Sequence, residues 1–367
     1  MTLYPKLIMD ALATVTYPGT KKNLVESEMV ADNLRIDGMK VSFSLIFPRD
    51  TDPFMKSTIK AAEAAIHYHV SRDVEVTIEV ETKSKPRPEA GKMLPGVKNI
   101  IAVSSGKGGV GKSTVAANLA ISLARLGYKV GLLDTDIFGP SMPKMFGVED
   151  FRPYAVQKDG RDLIEPVEKY GVKLLSIGFF VNPDTATLWR GGMASNALKQ
   201  LIGDADWGEL DYFVLDTPPG TSDIHLTLLQ TLAITGAVIV STPQKVALAD
   251  ARKGIDMYRN DKVNVPILGL VENMAWFTPA ELPENKYYIF GKEGCKNLAK
   301  EMDVPLLAQI PVVQSICESG DDGKPAALNV DTMTGQAFIN LAMAVVTVVN
   351  RRNAEQAPTK IVEVKNS

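Results

Sequence analysis

Gly106-Lys107-Gly108-Gly109-Val110-Gly111-Lys112-Ser113-Thr114 is the stretch on which the reading of this chain turns. From Gly106 to Ser113 it satisfies the pattern G-x-x-x-x-G-K-[ST]. The apolar run Ile100-Ile101-Ala102-Val103-Ser104 leads into it, and a helical period from Thr114 to Leu126 leads out, so the order is strand, loop, helix. Each residue type has a reason. Glycines let the backbone curl until several N–H groups converge on phosphate oxygens. A helix N-terminus adds about half a unit of positive charge. The Lys112 ammonium is long enough to reach the β- and γ-phosphates, and the Ser113 hydroxyl suits Mg²⁺. Residues Gly106 to Thr114 are therefore expected to cradle a nucleotide.

Outward from that loop, the region from Asn99 onward alternates buried strands with amphipathic helices. The strands are expected at Ile100–Ser104, Lys129–Asp134, Lys173–Ile177, Tyr212–Asp216, Ala237–Ser241, Ile267–Val271 and Leu306–Ile310. That pattern predicts an α/β fold, a doubly wound and mostly parallel sheet with helices on both faces. The apolar helix near Gly335–Val349 should pack on it, and residues 351–367 should fray. The ATPase-type domain is thus expected over 98–350. Upstream, Lys83-Ser84-Lys85-Pro86-Arg87-Pro88 has no apolar period, and proline removes backbone donors, so 83–97 reads as a linker. Residues 1–82 read as a small α+β module. Leu7, Ile8, Leu12 and Val15 have helical spacing, as does Phe54 to Val70. Val41, Phe43 and Leu45 alternate, and so do Val74, Val76, Ile78 and Val80.

Composition narrows the class. The 367 residues fit two domains, and 45% hydrophobic with 23% charged side chains is ordinary globular content. A net charge of −3 argues against a generic nucleic-acid surface. No apolar run reaches the length of a membrane span, the start lacks a signal-peptide layout, and only two cysteines are present. The expectation is a reducing, cytoplasmic setting with no membrane and no nucleic-acid partner.

Two further strands end in acids. Tyr212-Phe213-Val214-Leu215-Asp216 runs into Thr217-Pro218-Pro219-Gly220, and this places Asp216 at the carboxyl edge of the sheet, where such folds bind ligands. Asp216 is the candidate acid for Mg²⁺. Val130-Gly131-Leu132-Leu133-Asp134-Thr135-Asp136 ends in two acids spaced i, i+2, one to orient a water and one to support the loop. Together with the loop they favour ATP hydrolysis. Asn273, in Glu272-Asn273-Met274, offers an amide to a base edge or forms a turn.

Lys107 is a second cation within the loop. Lys-Gly-Gly-Val-Gly-Lys-Ser-Thr resembles the deviant P-loop of the ATPases that include MinD, ParA and the nitrogenase iron protein. The resemblance implies an ATP-sandwiching homodimer in which Lys107 reaches the partner's nucleotide. It assigns the water to Asp136, leaves Asp134 structural and turns Asn273 towards adenine. Longer strings are more specific: Asp134-Thr135-Asp136-Ile137-Phe138-Gly139-Pro140-Ser141, Trp189-Arg190-Gly191-Gly192-Met193, Asp216-Thr217-Pro218-Pro219-Gly220-Thr221-Ser222-Asp223 and Gly269-Leu270-Val271-Glu272-Asn273-Met274. From Asn99 to the C-terminal helix the chain resembles the Mrp/ApbC family of iron–sulfur cluster carrier ATPases. Its first 80 or so residues resemble the small domain often fused ahead of them. The implied function is to bind a cluster and pass it to apoproteins alongside other cluster-assembly factors.

One departure stands out. The family usually carries Cys-x-x-Cys shortly after Glu-Asn-Met, whereas here that segment reads Ala275-Trp276-Phe277-Thr278-Pro279-Ala280-Glu281-Leu282-Pro283. Thiolates are the standard cluster ligands, so Cys295 and Cys317 are the remaining candidates, with a buried free thiol the alternative. A nucleotide-switched scaffold or partitioning-type ATPase without a cluster is the rival function. His67 and His69 fall on different faces of one helix. His225 begins the helix after the Asp216 turn, close to the expected nucleotide, where the alternatives are a response to Mg-ATP and a solvated helix-start residue, with the second favoured. Trp276 and Phe277 read as an exposed partner-binding patch or as packing in the core or against a dimer mate, with the second favoured.

Overall fold

The computed structural model describes residues 3–362 apart from 19–21, 32, 48–51, 53, 83–92, 138, 159, 181–190, 280 and 283, and at 191, 314, 315, 317 and 318 it describes backbone only. The chain divides into two compact units, Met1–Arg87 and Pro88–Ser367.

The first unit contains α1 (Pro5–Leu12), β1 (Arg35–Asp37), β2 (Lys40–Phe47), α2 (Met55–His69) and β3 (Glu75–Thr82). β2 pairs antiparallel with β1 and parallel with β3. A parallel pair needs a crossover, and α2 supplies it. Thr58, Ala62 and Ile66 are buried at four-residue spacing, the single apolar face of an amphipathic helix. Around them pack Ile8, Leu12, Phe43, Leu45 and Phe47. Val15 lies beyond the helix, which ends at Leu12. His67 is tied through Nε2 to the Val74 carbonyl at 3.0 Å.

The second unit contains, in order, β4 (Val97–Ser104), α3 (Lys112–Arg125), β5 (Val130–Asp134), α4 (Met142–Met145), β6 (Ala155–Lys158), β7 (Arg161–Ile164), β8 (Val167–Lys169) and β9 (Val172–Ser176). It continues with α5 (Gly191–Gly203), β10 (Leu210–Asp216), α6 (Asp223–Thr231), β11 (Gly236–Ser241), α7 (Lys245–Arg259), β12 (Ile267–Glu272), α8 (Gly294–Glu301), β13 (Leu306–Gln309), α9 (Gln314–Asp321) and α10 (Met333–Glu355). The described residues form an eight-stranded sheet in the order β13-β12-β11-β4-β10-β5-β9-β8. Every pairing is parallel except β8 with β9. β4, β5, β10 and β11 lie at the centre, buried through most of their lengths, which is why they read as unbroken apolar runs. This is the doubly wound, mostly parallel α/β architecture expected from the sequence.

Two boundaries differ from expectation. Of the stretch read as linker, 83–92 lies outside the described residues, while Met93 and Leu94 pack against the main core and Val97 begins β4. The tail does not fray at Arg351. α10 continues to Glu355, Arg352 donates from Nη2 to the Ala357 carbonyl at 2.6 Å, and the Val362 N–H reaches the Leu229 carbonyl at 3.0 Å. Although Gln336, Asn340 and Thr347 break its apolar run, α10 as a whole is long and apolar enough to cross a membrane. Here Phe338, Leu341, Ala342, Val345 and Val349 fill the core as the helix lies along α3 and β13.

Candidate nucleotide site

β4 delivers the chain to the carboxyl edge of the sheet, and α3 carries it away, so residues 105–111 arch between a strand end and a helix start. Two glycines are fixed by geometry. At Gly106 a Cβ would lie 2.1 Å from the Asp250 backbone, so α7 abuts the root of the loop. Gly111 caps α3 at φ +79°, and a Cβ there would meet the Asn273 amide at 2.2 Å. Asn273 in turn donates from Nδ2 to the Val110 carbonyl at 2.8 Å and from its backbone N–H to the Ser241 carbonyl at 2.8 Å. The end of β12 is thus pinned to the loop. A cavity of about 550 Å³ opens beside this contact, lined by Gly111, Thr114, Ser141, Asn273, Met274 and Val312.

Lys112 opens α3 and is 6% exposed. Its ammonium contacts Asp216 Oδ1 at 2.5 Å and Ser113 Oγ at 3.2 Å. Parallel register sets Asp216 level with Asp134 on the neighbouring strand. Thr135 ties the two strand ends, donating from N and Oγ1 to the Asp216 carbonyl at 3.0 and 2.8 Å. Asp134 accepts from the Ser176 hydroxyl at 2.9 Å and the Met142 N–H at 3.2 Å through Oδ2, and from the Asp136 N–H at 3.1 Å through Oδ1. The second acid of the i, i+2 pair is therefore held by the first.

Burial dominates the electrostatics. It pushes the Asp134 carboxyl up to about 7, with the neighbouring Asp216 adding to the rise. It also raises Asp216, against the pull of the Lys112 ammonium and the Ser113 hydroxyl. Asp216 Oδ2 is buried with no hydrogen-bond partner among the described residues. An orphaned carboxylate oxygen beside a serine hydroxyl is a hard, oxygen-only donor set, and it fits a small divalent cation such as Mg²⁺.

Lys107 is half-buried and has no ion-pair partner among the described residues. His225 is 2% exposed rather than solvated: α6 turns it inward, under the loop that follows Asp216. Cys295 does not fit the ligand role considered for it. It is fully buried where α8 meets β12, its N–H bonded to Glu272 Oε2 at 2.6 Å and its thiol facing the Thr242 carbonyl at 3.8 Å. Burial, with the Glu272 carboxylate second, pushes the thiol well above its ordinary range. The Cys317 side chain lies outside the described residues, as do Phe138, Trp189 and Arg190. Trp276 and Phe277 are half-buried. Trp276 accepts the Val312 N–H at 2.7 Å and has the Lys286 ammonium 4.2 Å above its ring. Among the described residues no three His, Cys, Asp or Glu side chains converge as a metal site.

Sequence reasoning missed Glu272, Thr135 and Ser104 as parts of this edge. Glu272 takes both the Cys295 N–H and the Gln309 amide, each at 2.6 Å. The available signal was that all three sit at the ends of strands.

A glycine loop at the carboxyl edge of a parallel sheet, with a buried lysine and aspartate beneath it, defines a nucleotide-binding P-loop protein. Residues 96–346 match the family of NUBPL iron-transfer P-loop NTPases, and 6–80 match the iron–sulfur cluster assembly protein family. The chain belongs to the NUBPL iron-transfer P-loop NTPase family. It is 41% identical to the iron–sulfur cluster carrier protein of Synechocystis sp., over 88% of this chain and 91% of that one. Its fold is similar to a nucleotide-binding protein of Archaeoglobus fulgidus solved with ADP, at TM-score 0.55 and 37% identity over 64% of this chain and 89% of that one. The septum site-determining protein MinD of Pyrococcus horikoshii, solved with Mg-ADP, is similar at TM-score 0.50 and 26% identity, covering 69% and 98%.

Proposed function

We propose that this protein is an ATP-hydrolysing iron–sulfur cluster carrier that works as a homodimer in the cytoplasm and delivers clusters to apoproteins alongside other assembly factors. The observation that carries the ATPase reading is Lys112, buried at the root of the loop and touching both Asp216 and Ser113. Membership in an iron-transfer NTPase family, and relatives named as cluster carriers, support the cargo.

Each residue has a part in this reading. The amides of Gly106 to Gly111 bind the phosphates, and Lys112 leaves Asp216 for the β- and γ-oxygens. Thr114 closes the cradle at the first turn of α3. Ser113 and the free oxygen of Asp216 would hold Mg²⁺, which supplies charge neutralisation to the phosphates. Asp136 orients the attacking water while Asp134 fixes its backbone. With Asn273 Nδ2 committed to Val110, its Oδ1 remains to accept from the adenine amino group, in the cavity beside Gly111. Lys107, whose ammonium has no ion-pair partner among the described residues, extends to the nucleotide of the second subunit.

The buried, protonated state of Cys295 favours a second reading, a nucleotide-switched scaffold without a cluster. One preparation separates the two. Protein purified without oxygen and reconstituted with iron and sulfide should gain visible absorbance and bind iron stoichiometrically per dimer. Colourless, iron-free protein that still hydrolyses ATP decides for the scaffold.

A further inference from the structure

The loop from Thr217 to Ser222 joins Asp216 to α6 and contains Pro218 and Pro219, neither of which has an N–H to anchor it. Its fastenings nevertheless converge on one place. Thr217 donates from N and Oγ1 to the Val103 carbonyl at 3.1 and 3.0 Å. The Gly220 N–H reaches the Ser105 carbonyl at 2.9 Å. Between these, His225 Nε2 lies 3.4 Å from Ser104 Oγ, while its Nδ1 accepts the Ser222 N–H at 3.2 Å. Three consecutive residues, Val103 to Ser105, thus hold the loop, and they are the residues that run into the phosphate cradle. Two of the fastenings are to backbone carbonyls. The third is made by two side chains, His225 and Ser104.

The imidazole tautomer follows from its partners. The Ser222 backbone N–H only donates, so Nδ1 accepts and the proton sits on Nε2. Nε2–H then donates to the Ser104 hydroxyl, which also contacts Tyr258, a fully buried residue of α7. Burial first and the Lys112 ammonium second push His225 down to about 4, so the ring is neutral at physiological pH. On the other side of the loop, Pro219 Cγ lies 4.0 Å from where a Cβ on Gly108 would be, so the loop touches the crown of the cradle as well as its root.

We propose that His225 is a positioning residue for ATP hydrolysis, bridging Ser104 and Ser222 to hold the loop after Asp216 in register with the phosphate cradle. This rests on the ATPase reading above. His225 acts through its contacts with Ser104 and Ser222 rather than on the substrate itself. It fixes the distance between the cradle and the acid-bearing strand end, so its loss acts on turnover rather than on ground-state affinity.

The test compares steady-state hydrolysis of MgATP, nucleotide affinity by calorimetry and thermal melting for wild type, His225→Leu, His225→Gln and Ser104→Ala. His225→Leu should lower kcat about tenfold and leave ATP affinity within about twofold. Ser104→Ala should move kcat in the same direction by less. His225→Gln, whose amide can accept from Ser222 and donate to Ser104, should recover most of the loss. Folded His225→Leu protein with wild-type kcat overturns the proposal, as does an equal fall in the Leu and Gln variants. If His225→Leu does not fold, Ser104→Ala decides: a wild-type kcat there overturns the bridge. Wild-type protein that hydrolyses no ATP overturns the ATPase reading along with it.

Discussion

Lys112 has one ammonium group and two claimants, Asp216 in the structure and the phosphates of a bound nucleotide. Removing it strips a charge-assisted contact from an anion site and leaves a fully buried carboxylate without its cation. Lys112→Ala should therefore weaken ATP binding ~100-fold or more, read as loss of heat in a MgATP titration. Asp134 gives a pH signature. Its folded pKa, about 7, lies above the ordinary value of 3.8, so its protonated form favours the fold. That contribution is fully present below the unfolded pKa and is lost as pH rises through about 7. Wild type minus Asp134→Asn, compared by melting from pH 4 to 8, should show that slope; parallel curves would refute it. Cys295→Ala should leave iron uptake unchanged in the reconstitution, since a thiol facing a carbonyl in the core is held protonated.

At the scale of elements, legibility in the sequence followed burial. β4, β5, β10, β11 and β12 are covered on both faces, so their apolar runs are continuous, and each lies within three residues of its expected position. β1, β6, β7 and β8 have three or four residues each and are half exposed, too short to display any period. The tail departs from expectation for another reason: the contacts of Arg352 and Val362 are with parts of the chain distant in sequence or past a turn, and polarity alone predicts fraying. His225 fails the same way, since polarity placed it in water and tertiary packing placed it under a loop. The phosphate cradle was legible because its chemistry is local. What Asp134 and Thr135 do was not, because it depends on two strands lying side by side. Packing has its own prediction. Phe213 is fully buried in β10, edge-on to Trp207 with centroids 4.6 Å apart. Phe213→Ala should cost about 3–5 kcal/mol in chemical denaturation.

For the whole molecule, the decisive question is whether two copies close on ATP. Sedimentation should shift from monomer to dimer mass when Mg²⁺ and ATP are added, and the shift should need Lys112. Lys107→Ala should bind ATP with near wild-type affinity and turn over about 10²-fold more slowly, by analogy with other cations that reach across to a transferring phosphoryl group. Undiminished hydrolysis by that variant would argue against a lysine acting from the partner. The strand order has one more consequence. Among the described residues β4 pairs only with β10 and β11, which follow it by roughly a hundred residues or more. On the ribosome, at ~5–20 residues per second, the root of the phosphate cradle waits several seconds for either neighbour. Nascent chains stalled before Leu210 should therefore retain no nucleotide and stay sensitive to protease, because the groove for triphosphate comes into being only when translation has passed the second half of the sheet.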